Sequence, residues 1–224
     1  MLSARGTNAW DERRRVTAVI VEDQIMFRGF LRKICEDGVG LTVVAEVAAA
    51  AEALAACRLH HPRILLLDLE LPDGNGLDLA PELKRASPET RILAISARVD
   101  DYTLYRVVDS GVDGYIDKVG STVESLTGAI RAVMTRGAYF SPAVDAALRR
   151  MADDPVAFPK ILSPRELDLL RVIGGGCSDQ DAARRLGLSA LTVKTHRRNI
   201  MLKLGLHSSR DLMRYAATAG FARF

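Results

Sequence analysis

RILLLDL, residues 63–69, decides the fold class. Four apolar side chains, Ile64 to Leu67, run straight into Asp68 without polar alternation. A strand with water on one face alternates; a strand covered on both faces does not. The unbroken pattern recurs in VTAVIV at 16–21, LTVVAEV at 41–47, RILAISA at 91–97 and GYI at 114–116. Helical patterns fill the gaps. Phe27, Leu31 and Ile34 share one spacing, as do Ala50, Leu54 and Cys57; further helices fit 77–85, 101–111 and 123–137. Gly111 and Gly137 are natural carboxyl-terminal caps, and Pro81 requires a kink or an early turn in its helix. Strand and helix alternate five times, so residues 15–140 read as α/β, a five-stranded doubly wound parallel sheet.

In such sheets a ligand binds beyond the carboxyl ends of the strands. This sequence places Glu22 and Asp23 after the first strand, Asp68 at the end of the third, Ser96 at the end of the fourth and Lys118 just after the fifth. The turn after the first strand, VEDQIMFRG, has no glycine-rich phosphate loop, which argues against a dinucleotide enzyme. Clustered carboxylates favour a hard divalent cation, most simply Mg²⁺. With its charge offset, Asp68 can act as a nucleophile toward a phosphoryl group. Lys118 can pair with a phosphoryl oxygen, and Ser96 can donate a hydrogen bond to another.

Composition separates the two ends of the chain. Of 224 residues, 48% are hydrophobic and 5% aromatic, so the cores are aliphatic. The net charge is +3, but residues 163–224 carry +6, leaving the first 162 residues at −3. A basic end beside an acidic body fits a nucleic-acid module beside a cation or phosphoryl site. Cys35, Cys57 and Cys177 match no metal spacing and suit a reducing compartment. The start lacks the apolar core of a signal peptide, and ILLL at 64–67 is too short to cross a bilayer. The expectation is a soluble, cytoplasmic protein without a membrane partner. RGTNAWDERRR at 5–15 admits two readings, a disordered tail or added phosphate contacts.

MADDPVAFPKI at 151–161 has two prolines and no periodicity, and residues 141–161 read as a linker. Four helices follow in 162–224. Ser163, Pro164 and Glu166 form a capping box ahead of Leu167, Leu170 and Ile173. Ser178 caps a helix that buries Ala182, Ala183 and Leu186 and ends at Gly187. Ser189 caps the next, which ends at Gly205, and Ser208 or Ser209 caps the last, with Leu212 and Tyr215 on its apolar side. The second and third form a helix-turn-helix. Val193, Ile200 and Leu204 face inward; Lys194, Arg198 and Met201 face out. Lysine or arginine on an outward face can read guanine edges in a DNA major groove. His196 fits either a phosphate contact or partial burial.

These motifs together resemble a known family. VIVEDQIMFRGFLRKI, ILLLDLELPDGNGLDL, ILAISA and GVDGYIDK are similar to the receiver domain of two-component response regulators. LSPRELDLLRVIGGG, AARRLGLSALTVKTHRRNIMLKLG and HSSRDLMRYA resemble the LuxR-type DNA-binding domain of the NarL/FixJ subfamily. The resemblance implies that Asp68 accepts a phosphoryl group from a sensor histidine kinase. It implies that Glu22, Asp23, Asp68 and the Glu70 carbonyl hold Mg²⁺, that Ser96 and Lys118 bind the phosphoryl group, and that Tyr115 occupies a switch position. Two readings of Tyr115 stand: a buried strand residue with its hydroxyl at the surface, or a ring that moves inward when Ser96 is drawn to the phosphoryl group. On the DNA side, Lys194, Thr195 and Arg198 would face bases, with Thr192, Arg197, Asn199 and Lys203 at or near the backbone. Departures are Gln24, where relatives often carry histidine, Pro81, Ala190 and Leu191 at usually polar positions, and Asp181 in place of glutamate.

The expected function is a DNA-binding transcription regulator, not an enzyme, switched by phosphorylation of Asp68 and homodimeric on double-stranded DNA when phosphorylated. The alternative is an orphan regulator of the same fold, controlled by protein or ligand contact. Intact Asp68, Ser96 and Lys118 argue against it.

Overall fold

The computed structural model describes residues 16–222; the stretch at 5–15 lies outside the described residues. The chain opens with β1 (Thr17–Val21), α1 (Ile25–Lys33) and a π-helical turn at Ile34–Val39. Then come β2 (Thr42–Val47), α2 (Ala50–His60), β3 (Ile64–Asp68), a small hairpin of β4 (Glu70–Leu71) and β5 (Gly74–Asn75), and α3 (Gly76–Ala86). The remaining αβ units are β6 (Arg91–Ser96), α4 (Asp101–Asp109), β7 (Gly114–Asp117), α5 (Val123–Arg136) and β8 (Tyr139–Phe140). The order of the main sheet is β2-β1-β3-β6-β7-β8. β1 pairs in parallel with β2 and β3, and β3 with β6.

The unbroken apolar runs are the central strands. Ala18–Val21, Ile64–Leu67 and Ile92–Ile95 are all buried, because helices cover both faces of a parallel sheet. Each such Leu, Ile or Val contributes about 1.5–3 kcal/mol on burial. The two-residue β8 adds a sixth strand beyond the five expected. Pro81 lies inside α3, which starts five residues earlier at Gly76 and runs through it as one helix.

The expected linker is largely helical. α6 (Pro142–Asp153) and the one-turn α7 (Phe158–Ile161) occupy it. α6 stops just before Pro155, whose ring disfavours helical backbone in the preceding residue. Four helices close the chain: α8 (Pro164–Gly174), α9 (Asp179–Leu186), α10 (Ala190–Lys203) and α11 (Ser209–Thr218). Ser163, Ser178, Ser189 and Ser208 cap them, and each side chain accepts from the amide three residues on. Leu169, Leu170, Ile173, Val193, Ile200 and Leu212 form their core, joined by Phe158 and Phe221.

Two compact units emerge. Among the described residues, the first holds 16–95, 112–114 and 121–139; the second holds 96–111, 115–120 and 140–222. Helix α4 therefore belongs with the carboxyl-terminal helices. Among the described residues no helix is long and apolar enough to cross a membrane.

Candidate functional site

The acidic site follows from strand register. Val21 of β1 lies opposite Leu67 of β3, so the next residues on each strand, Glu22 and Asp68, emerge side by side. Asp23 joins them, and one carboxylate oxygen from each of the three lies within 4.8 Å of the others. Glu22 is 0% exposed and Asp68 2% exposed, whereas Asp23 faces solvent. Three carboxylates this close, two of them buried, repel one another at low dielectric. All-oxygen donors with one side open to water fit Mg²⁺, which takes one or two carboxylates and keeps several waters. The three form the magnesium site typical of receivers.

Local backbone fixes these groups. The Gln24 amide donates to Glu22 Oε1 at 3.2 Å, and the Glu70 amide to Asp68 Oδ1 at 3.0 Å. At Gly76 the chain returns so tightly that any Cβ would overlap the Asp68 carbonyl; glycine is required there by close approach. Sequence reasoning missed Asp73. Its two carboxylate oxygens accept from the Ala50 and Ala51 amides at 2.8 and 3.0 Å. The signal was Ala49, an N-cap without a side-chain oxygen, so the cap had to come from elsewhere. Asp73 thereby ties the loop after Asp68 to the start of α2, and those amides hold its carboxyl below its ordinary value.

Ser96 and Lys118 lie at the same end of the sheet. Asp68 is opposite Ile95, the residue before Ser96. The Lys118 amide donates to the Ser96 carbonyl at 2.9 Å, so their backbones are neighbours. Tyr115 departs from the surface-hydroxyl reading: it is 0% exposed, and its hydroxyl donates to the Arg98 carbonyl. Burial pushes that hydroxyl well above the ordinary phenol range, although the Ser96 hydroxyl beside it acts in the opposite direction.

Arg98, unremarked in the sequence, joins this pair to the chain's last helix. Its amide donates to Ser96 Oγ at 3.2 Å. Its guanidinium donates to Asp100 Oδ2 at 2.7 Å and to the Gly220 carbonyl at 3.0 Å. The Tyr102 amide donates to the Ala219 carbonyl at 2.9 Å. Tyr102 stacks on Phe221 with ring centroids 4.1 Å apart, and Phe158 meets Tyr105 edge-on at 5.6 Å. Gly220 has φ +86° and packs on Asp100 with no room for a Cβ.

The helix-turn-helix is formed by α9 and α10, with Gly187 at φ +64° in the turn. Val193 and Ile200 are fully buried. Lys194, Thr195 and Arg198 are exposed, while Thr192 and Asn199 are half-buried. One expectation needs correction, and two of the cations have acidic partners within the domain. Met201 packs against the helical core instead of facing out. Arg197 turns inward, with its Nε on Asp179 Oδ1 at 2.8 Å and its side chain 16% exposed. Lys203 donates to Glu166 Oε2 at 2.7 Å. Burial alone would raise the Glu166 carboxyl, but Lys203 and the Ser163 amide and hydroxyl outweigh it and hold it below its ordinary value. Both cations pair with buried or half-buried acids of the same domain. His196 is half-buried.

Comparison with known proteins agrees with this geometry. The model of the response regulator receiver domain matches residues 18–131, and that of bacterial regulatory proteins of the luxR family matches 160–216. The response regulator protein VraR of Staphylococcus aureus is 28% identical over 201 residues, covering 90% of this chain and 96% of that protein. A LuxR-family two-component response regulator from Aurantimonas sp. is 26% identical, with TM-score 0.59, over 63% of this chain and all of that one. RcsB from Salmonella enterica serovar Typhimurium, bound to a promoter in the presence of the phosphomimetic BeF3⁻, has the same fold. It gives TM-score 0.67 at 23% identity over 91% of this chain and 99% of that one. An acidic cluster at the strand ends, the receiver match over half the chain and the luxR match over the last helices converge: the chain belongs to the two-component response regulators of the NarL/FixJ type.

Proposed function

We propose that this chain is a transcription regulator that binds double-stranded DNA and is switched by phosphoryl transfer to Asp68. The observation that carries the reading is the convergence of Glu22, Asp23 and Asp68 within 4.8 Å. Glu22, Asp23, Asp68 and the Glu70 carbonyl would hold Mg²⁺, which when bound would supply charge neutralisation for the incoming group. An Asp68 carboxylate oxygen attacks phosphorus on the phosphohistidine of a sensor kinase. The P–N bond breaks, and the kinase imidazole leaves. The Lys118 ammonium pairs with one phosphoryl oxygen, and the Ser96 hydroxyl donates to another. Turning toward that oxygen, Ser96 releases the Arg98 amide, and Tyr115, hydrogen-bonded to Arg98, moves with it.

On the helical side, Lys194, Thr195 and Arg198 face base edges, with Thr192 and Asn199 near the backbone. Arg197 and Lys203, engaged by Asp179 and Glu166, serve the fold of the domain rather than phosphate. Phosphorylation favours a homodimer, because a module this small gains most from a second copy on a mirrored half-site. One solved structure of RcsB holds two dimers bound to two parallel DNAs.

A second mode of control rests on a specific observation. The Arg98–Gly220 and Tyr102–Ala219 bonds hold the end of the last helix against α4, so release of this clasp is a way for Ser96 to free the helical domain. Selection of bound sites from random DNA, with and without acetyl phosphate and Mg²⁺, tests the function. Enrichment of a paired motif that strengthens with the phosphodonor is expected. No enrichment in either arm refutes the DNA-binding reading, and equal enrichment in both refutes phosphorylation control.

A further inference from the structure

The outward face of α10 is not uniformly polar. Leu191, in its first turn, is 75% exposed. It lies one turn before Lys194 and Thr195 and two turns before Arg198, which places all four on one face. Its neighbour Thr195 is exposed, yet the Thr195 hydroxyl donates back to the Leu191 carbonyl at 3.0 Å. The hydroxyl proton is engaged within the helix, so Thr195 offers a partner its methyl group beside an oxygen that can only accept. The isobutyl group of Leu191 and the methyl of Thr195 therefore form an apolar pair beside the cations Lys194 and Arg198.

This inference rests on the DNA-binding reading. A recognition helix puts its amino-terminal residues against base edges. In the major groove the apolar feature of the bases is the C5 methyl of thymine. Against phosphate an isobutyl group would strip water from charged oxygens without replacing their hydrogen bonds. We infer that Leu191, with the Thr195 methyl, is a specificity-determining contact to the C5 methyl of one thymine in each half-site, beside the bases read by Lys194 and Arg198.

Deoxyuridine removes that methyl and nothing else, which makes the test direct. The full-length protein, phosphorylated with acetyl phosphate and Mg²⁺, is titrated against the site obtained by selection. Each thymine is replaced in turn by deoxyuridine, for wild type, Leu191→Ser and Thr195→Ser. Removing one buried methyl is worth about a fourfold loss of affinity. Wild type should show that loss at one thymine per half-site, Leu191→Ser should show almost none there, and Thr195→Ser, which keeps the hydroxyl, should show an intermediate loss. Leu191 is exposed, so its serine variant is expected to fold normally. A selected site with no thymine in its half-sites, no deoxyuridine-sensitive position in wild type, or equal sensitivity in Leu191→Ser overturns the inference alone. Failure of wild type to enrich any sequence overturns it together with the DNA-binding reading.

Discussion

Replacing Lys203 by alanine separates a structural role from a DNA contact. Glu166 is 4% exposed, and its Oε2 accepts from Lys203 Nζ at 2.7 Å, the Ser163 amide at 2.8 Å and the Ser163 hydroxyl at 2.9 Å. Alanine leaves a buried carboxylate with two donors and no cation. A hydrogen bond to a charged group is worth about 1.5–3 kcal/mol. The Lys203 side chain is 42% exposed, so solvent screening brings the figure down toward the exposed-pair range. We take about 1–1.5 kcal/mol, roughly a five- to thirteenfold increase in opening of the first turn of α8. Amide exchange of the peptide spanning 163–170 reads this directly. The pH dependence has a definite sign. The folded Glu166 carboxyl lies below its ordinary value of 4.5, so the pairing stabilises fully above that value and is lost as pH falls through the folded value. Wild type and Lys203→Ala should therefore converge once pH has fallen below the folded value. In a Glu166→Gln background the lysine substitution should cost little. The slope of DNA affinity against salt should not change. Unchanged exchange together with a slope reduced by about one unit would make Lys203 a phosphate ligand and refute the reasoning.

Glu22→Gln with Asp23→Asn should slow acetyl-phosphate labelling of Asp68, followed by intact mass, and raised Mg²⁺ should restore part of the rate; a rate indifferent to Mg²⁺ in wild type would remove the metal from the account. Arg197→Ala should loosen α9 by about 1–2 kcal/mol, since its partly buried bond to Asp179 is charge-assisted, and raise exchange there. Arg198→Ala should leave exchange alone and blur preference at one base position by about 1–3 kcal/mol. Gly220→Ala places a Cβ on Asp100 at a left-handed backbone position. It should unprotect the Tyr102 amide and bring DNA binding without phosphodonor closer to the phosphorylated level. Unprotection without a gain in binding would rule out the clasp as a control.

The sheet was legible because its central strands are buried on both faces, so Ile64–Leu67 and its neighbours read as unbroken apolar runs whose ends locate Glu22, Asp68, Ser96 and Lys118; the half-buried β2 was read from its β-branched content. The helical caps were legible because Ser163, Ser178 and Ser189 act on amides three residues away. What escaped is short or non-local. β4, β5 and β8 have two residues each, too few for any periodicity. α6 was hidden by the acids and prolines that end it. The partners of Arg197 and Lys203 lie 18 and 37 residues away, and no local pattern distinguishes a cation that reaches inward from one aimed at phosphate. Arg98 was illegible for the same reason, its partner Gly220 being 122 residues distant.

The central claim is that one carboxylate governs DNA binding. The affinity of the full-length protein for its selected site, titrated with and without acetyl phosphate and Mg²⁺ for wild type and Asp68→Ala, tests it most directly. The account predicts tightening on phosphodonor in wild type and none in Asp68→Ala. Equal tightening in both proteins, or none in wild type once it carries one phosphoryl group, would contradict it.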